Sequence, residues 1–246
     1  MLDLKLLYKM LETPSISGYE LEFQKMLNKE LENIDDVTYN HHSLMVTHGI
    51  NEKSKVKVML LAHVDEIGLI IENVENNGIC KLTNIGAIKP YMYIGQHVVV
   101  YHKDENGNIK KIPGVIGYNA KMTSGNMTVE DLNLDLGTLS KEETLKLVSI
   151  GDVLIHEYTY QMLENNLLSA RSLDDKIGVY ICTEVLRRVK EMKIDKGVYF
   201  VATVGEETTG RICDNLCNSN LCNCTWCRFW NWCKLSWQFH AWSKTR

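Results

Sequence analysis

Apolar and polar positions along the chain fall into helix-like and strand-like stretches that follow one another in a definite order. Leu2, Leu4, Leu7 and Leu11 predict an amphipathic helix that stops near Pro14. Ser17-Gly18-Tyr19-Glu20 reads as a turn and cap into a second helix over 20–31, with Leu21, Phe23, Met26, Leu27 and Leu31 as its apolar positions. Val56–Ala62 is a nearly continuous apolar run bounded by charges, which predicts a strand buried on both faces. From about 68 to 155, short β-prone runs (Leu69–Val74, His97–Tyr101, Val115–Ile116, Val153–Ile155) alternate with turn signals at Asn76-Asn77-Gly78 and Glu105-Asn106-Gly107-Asn108. After Asp174 the helical period returns. Ile177, Ile181, Val185, Val189 and Met192 predict one core-facing stripe, Gly197 is expected to end that helix, and Val198–Val204 reads as a second fully apolar strand. The order helix, strand, β-rich insert, helix, strand predicts an α/β domain interrupted by a β module.

Composition narrows the class. Of 246 residues, 45% are hydrophobic and 24% charged, the balance of a soluble globular chain. A net charge of -4 with no basic block argues against a nucleic-acid partner. The apolar runs are too short to span a bilayer, and Asp3, Lys5 and Lys9 make the N-terminus unlike a signal peptide. A cytoplasmic chain with no membrane partner is expected. Residues 1–211 hold only Cys80 and Cys182 and no tryptophan. Residues 212–246 hold the other six cysteines and all five tryptophans, with Asp214 as the lone acid.

Three polar clusters sit at predicted strand ends or helix starts: His63-Val64-Asp65-Glu66, Asp174-Asp175-Lys176 and Gly205-Glu206-Glu207. Open α/β sheets bind ligands outside the carboxyl ends of their strands, so the three can share one rim. One imidazole and several carboxylates, with no thiolate, suit Zn²⁺, Co²⁺ or Mn²⁺. The two oxygens of Asp174 could bridge two such ions about 3.5–4 Å apart, with His63 and Glu207 each holding one side. Asp65 could orient the His63 imidazole, and Glu206 could act as general base toward the attacking water. Taken singly, each cluster also has a plain reading: a chance His-x-Asp, an acidic first helical turn, a solvated Glu-Glu loop.

Five stretches resemble the M42 family of metallo-aminopeptidases: residues 14–20 (PSISGYE), 62–68 (AHVDEIG), 113–117 (PGVIG), 170–178 (ARSLDDKIG) and 205–211 (GEETTGR). The resemblance implies a phosphorylase/peptidase-like, three-layer α/β catalytic domain (residues 1–68 and 161–211) interrupted by a small β-barrel-like oligomerisation domain (residues 69–160). It implies a peptide substrate, removal of N-terminal residues, two divalent metal ions and a homo-oligomer. It also implies roles: His63 and Glu207 as ligands, Asp174 as the bridge, Glu206 as the base, and a cis peptide bond between Asp174 and Asp175. Some M42 members carry an endoglucanase label. A glycosidase needs two carboxyl groups facing each other across a bond, which adjacent Glu206 and Glu207 do not offer. A non-catalytic oligomer partner is the third reading.

The motifs end at Arg211. The family's further aspartate and histidine ligands have no motif here; Asp214 and His240 are the candidates of the right type. An out-of-frame or truncated end is expected for residues 212–246, and with it a chain of little or no activity. The alternatives are a four-thiolate zinc site from Cys222, Cys224, Cys227 and Cys233, or a disulfide scaffold.

Overall fold

The computed structural model describes residues 4–209 except 35–36, 42–44, 52, 56 and 120–126, so the expectations for the tail, Asp214 and His240 among them, lie outside the described residues. Helices α1 (Lys5–Glu12) and α2 (Leu21–Leu31) precede β1 (Val37–His41), β2 (Met45–Ile50) and β3 (Lys57–His63). Then come β4 (Gly68–Val74), β5 (Cys80–Ile85), β6 (His97–Lys103), β7 (Ile109–Tyr118), β8 (Leu132–Asp135), a short α3 (Lys141–Thr144) and β9 (Val153–His156). A small hairpin, β10 (Tyr160–Met162) with β11 (Leu168–Ala170), leads into the long α4 (Leu173–Met192). The chain then passes through β12 (Gly197–Thr203) to a single turn, α5 (Glu206–Thr209).

The fold is mixed α/β. One sheet has the order β1-β2-β12-β3, with β12 parallel to β3 and antiparallel to β2. Strands β4-β5-β8-β7-β6-β9 close into a separate barrel, which leaves no free edge in that part of the chain. Each part has its own core. Leu7, Met10 and Leu11 of α1, Phe23, Leu27 and Leu31 of α2, and Val179, Tyr180 and Leu186 of α4 bury against Val198, Phe200 and Ala202, the alternate residues on one face of β12. Leu69, Ile71, Leu82, Val98, Val100, Leu134 and Leu154 fill the barrel. Ile16 joins Val153 and Ile155 in a third, small cluster, and Tyr19 Oη donates to the Gly151 carbonyl at 2.7 Å, so the 14–20 segment ties the two parts together. Thr13 ends α1 in the extended conformation (φ -89°, ψ 115°) preferred by a residue before proline.

Several sequence expectations change in three dimensions. Residues 57–62 of that run lie in β3, which is not buried on both faces: among the described strands β3 is an edge with β12 as its single neighbour, and Val58 is 48% exposed. On α4, Ile181 and Met192 face solvent. The buried stripe is Lys176, Val179, Tyr180, Thr183 and Leu186, because the sheet meets the helix on that side. Leu21 on α2 is likewise exposed. Gly197 does not end α4. Lys193 caps it in the left-handed region (φ 51°), and Gly197 opens β12. Strand β12 itself is buried at all seven positions, as its composition predicts. Among the described residues no helix is long and apolar enough to cross a membrane.

Phe200 is fully buried at the centre of the sheet–helix core. Phe200→Ala should cost about 3–5 kcal/mol of stability, the usual range for an aromatic truncation in a packed core. Urea unfolding measures it; a loss below about 1 kcal/mol would mean that the core described here does not form.

Candidate functional site

Parallel pairing of β3 with β12 sets His63 opposite Thr203, so both strands end at the same edge. Past that edge the Val64 amide donates to the Thr203 carbonyl at 2.9 Å, and the two following segments stay together. The start of α4 arrives at this rim as well. The Asp175 carboxylate accepts from the His63 amide at 3.3 Å and from the Gly178 amide at 3.1 Å. A Cβ at Gly178 would lie 2.2 Å from Asp175 Oδ1, so a larger residue there would displace that carboxylate. The Asp174–Asp175 peptide bond is cis.

His63 and Asp174 meet directly, with Nε2 3.1 Å from Oδ1. The other imidazole nitrogen, Nδ1, lies 3.0 Å from the Asp65 carbonyl oxygen and 3.5 Å from Asp65 Oδ1. Asp65 is fully buried, and its carboxylate accepts from Ser17 Oγ at 2.6 Å, the Glu206 amide at 3.1 Å and the Glu207 amide at 3.0 Å. One aspartate thus fastens the turn that carries both glutamates to the strand end that carries the histidine. Glu206 and Glu207 are half-buried, whereas the Asp174 side chain is 88% exposed.

The charges at the rim are strongly coupled. Burial alone would lower the His63 pKa, but hydrogen bonds to Asp174 and Asp65 raise it to about 11. Burial raises Asp65 as well, yet His63 and Ser17 outweigh that and hold its carboxyl below the usual range. The His63 contact lowers Asp174. Burial lifts Asp175 to about 6. Burial, with Asp174, Glu206 and Asp65 around it, lifts Glu207 to about 7 against the opposing pull of His63. The rim therefore gathers more negative charge than its one imidazole balances.

An imidazole with carboxylates and no thiolate is a donor set for hard or borderline divalent cations, and surplus negative charge favours them. His63, Asp174 and Glu207 fit such ions by chemistry and by shared electrostatic neighbourhood. Among the described residues no three His, Cys, Asp or Glu side chains close on a single point.

Sequence reasoning missed the framework behind this rim. Glu66 is 3% exposed, and its two carboxylate oxygens take Ser15 N at 2.9 Å, Lys176 Nζ at 2.8 Å and the Arg171 guanidinium. Lys176, wholly buried, also donates to the Thr13 carbonyl at 2.7 Å, and Arg171 Nη2 donates to the Leu11 carbonyl at 2.8 Å. Burial would raise the Glu66 carboxyl, but the two cations hold it down, at about 2. The usable signal was Lys176 itself. It falls on the same helical stripe as Val179, Tyr180 and Thr183, and a lysine on a buried stripe must find a counter-charge.

Glu66→Leu would leave Lys176 and Arg171 buried without their counter-charge. Breaking a buried ion pair from one side costs about 3–5 kcal/mol, so a loss of that size is expected in urea unfolding. A neutral effect would show that the cluster adds nothing to stability.

The family profile described as M42 glutamyl aminopeptidase matches residues 43–217, which carries the likeness six residues beyond Arg211, where the motifs end. The chain is 30% identical to a protein of Acetivibrio thermocellus over 205 residues, 82% of this chain and 58% of that one. It is 28% identical to the lysyl aminopeptidase of Pyrococcus furiosus over 212 residues, 84% of this chain and 60% of that one. Among solved structures, the TET1 peptidase of Pyrococcus horikoshii, described as assembling into a tetrahedron or a large octahedral shell, superposes with a TM-score of 0.75 at 28% identity. That match covers 87% of this chain and 64% of the other. The chain thus spans about three fifths of the length of these curated relatives. With the profile matched over most of its length and the fold shared, this chain belongs to the M42 glutamyl aminopeptidase family.

Proposed function

We propose that the rim formed by His63, Asp174 and the Glu206–Glu207 turn is the N-terminal share of a dinuclear-metal aminopeptidase site that removes N-terminal residues from peptides. The observation that carries this reading is the direct meeting of His63 Nε2 and Asp174 Oδ1 beside a glutamate turn fastened to Asp65. His63, Asp174 and Glu207 would hold two divalent ions, zinc, cobalt or manganese. When bound, the ions supply Lewis acidity for the scissile carbonyl and the attacking water. The Glu206 carboxylate takes the proton from that water and returns it to the leaving amine. Asp65 orients the imidazole through its carbonyl and sets the position of Glu206 through the backbone. The sheet with α1, α2 and α4 belongs, in this reading, to a three-layer catalytic domain in the cytoplasm, and the barrel supplies contacts between copies. That a relative, the TET1 peptidase, assembles into a tetrahedron or a large octahedral shell supports an assembly of copies. A glycosidase is disfavoured, because the Glu206 and Glu207 amides lie on one carboxylate and the two side chains leave the same turn.

The test uses the 246-residue chain beside a chimera whose residues after 211 come from a full-length relative. The chimera should release amino acids from peptides, stop when chelated, and recover with Zn²⁺ or Co²⁺. In it, Glu206→Gln should keep its metal and lose about 10²–10⁴-fold in kcat. His63→Ala and Asp174→Ala should lose metal in elemental analysis of either protein. Full turnover by Glu206→Gln would remove the assigned base, and sugar release without peptidase activity would overturn the whole reading.

The barrel role has its own test. Deleting residues 69–160 should dissociate the chimera's assembly while the remaining α/β part stays soluble. An unchanged particle mass in light scattering would reject it.

A further inference from the structure

The carboxylate of Asp65 is fully buried, and its two oxygens serve several groups at once. Oδ1 accepts from the Glu206 amide at 3.1 Å and lies 3.5 Å from His63 Nδ1. Oδ2 accepts from the Glu207 amide at 3.0 Å and from Ser17 Oγ at 2.6 Å. Glu206, Glu207 and His63 are the parts of the rim that Asp65 places. An aspartate held by those groups alone would drift with them, because its terminal torsion is broad and has no sharply preferred angle. Ser17 is the partner among these that comes from outside the rim.

Ser17 has the fixed place that such a role requires. It is buried, and its own amide donates to the Glu66 carbonyl at 3.2 Å. The Glu66 amide donates in turn to the Ser15 carbonyl at 3.0 Å, and Ile16 forms a parallel bridge with Glu66. Ser15 Oγ adds a bond to the Val64 carbonyl at 2.6 Å. Just past Ser17, Gly18 turns the chain in the left-handed region (φ 91°), and the Tyr19 amide closes the turn onto the Ile16 carbonyl at 2.7 Å. Backbone bonds on both sides therefore set the position of Ser17, whatever its hydroxyl does.

We propose that Ser17 is a positioning residue: its hydroxyl fixes the rotamer of Asp65, and through Asp65 the place of the Glu206–Glu207 turn beside His63. Ser17 touches no reacting atom. Its role in the chemistry rests on the reading of Glu206 and Glu207 given above. The amides of those two residues report its action directly. They open α5, and the first amides of a helical turn have no acceptor within it, so Asp65 is the acceptor that protects them.

The experiment is amide hydrogen exchange, resolved by residue, on the metal-free 246-residue chain and its variants. Because it needs neither metal nor turnover, it can fail while the aminopeptidase reading stands, and the reverse. Ser17→Ala should speed exchange at the Glu206 and Glu207 amides by about tenfold or more, leaving β3, β12 and α2 within about threefold of the parent. Ser17→Thr, which keeps a hydroxyl on the same carbon, should restore protection. Asp65→Ala should expose both amides by itself, and adding Ser17→Ala to it should change their exchange by less than about twofold, since Ser17 acts through Asp65. Unchanged protection of the two amides in Ser17→Ala would overturn the proposal. So would acceleration spread equally over α2, β3 and β12, or a second full acceleration when Ser17→Ala is added to Asp65→Ala. The Ser17 variants decide by themselves if Asp65→Ala fails to fold.

Discussion

The ion cluster of Glu66 with Lys176 and Arg171 is the interaction on which the rim depends. Taking three charges out of water costs several kcal/mol for each ion, and their attraction offsets this only when every oxygen and proton has a partner. Here nearly all do. Glu66 accepts from both cations and from Ser15, and the cations spend further donors on the Thr13 and Leu11 carbonyls. The energetic gain of such a cluster over an apolar one is small, but its geometric demand is large. The cluster joins the end of α1, the strand-end segment after β3 and the start of α4 at one place. Asp174, two residues before Lys176, meets His63, three residues before Glu66.

The four residues after Ala62 divide the work by simple alternation. His63 and Asp65 serve the rim: His63 meets Asp174, and Asp65 fastens the Glu206–Glu207 turn. Val64 packs into the sheet–helix core, and Glu66 reaches the buried cations. Successive residues of extended chain point to opposite sides, so one short segment joins the core, the framework and the candidate chemistry. The parallel bridge between Ile16 and Glu66 holds that segment extended beyond the end of β3. Ile16, in turn, packs on Val153 and Ile155 of the barrel, so the rim is braced from the β module too.

Much of the fold was legible. Helices α1, α2 and α4 and strand β12 follow from spacing and from unbroken apolar runs, and the turn signals between 68 and 155 marked the β module. Strands β5 and β8 were harder to see: Leu132-Asn133-Leu134-Asp135 alternates apolar and polar but is only four residues long, and Asn84 interrupts the alternation of β5. Pairing inside a closed barrel decides those strands. The exposed Ile181 and Met192 show the same limit on a helix. Both obey the helical period, but the period does not say which of two adjacent stripes meets the sheet.

The sequence by itself determined the order of elements, the residue types available at the strand ends and the motifs that carry the family likeness. These are local properties, set by spacings of two to four residues and by short strings of neighbours. Tertiary structure alone decided that β3 is an edge in the described sheet, that the strands of the β module close on themselves, and that Glu66 finds Ser15, Arg171 and Lys176 at separations of 51, 105 and 110 residues. No local pattern encodes a partner that far along the chain. A buried charge signals only that a partner must exist, and the packing of helices on the sheet determines which one it is.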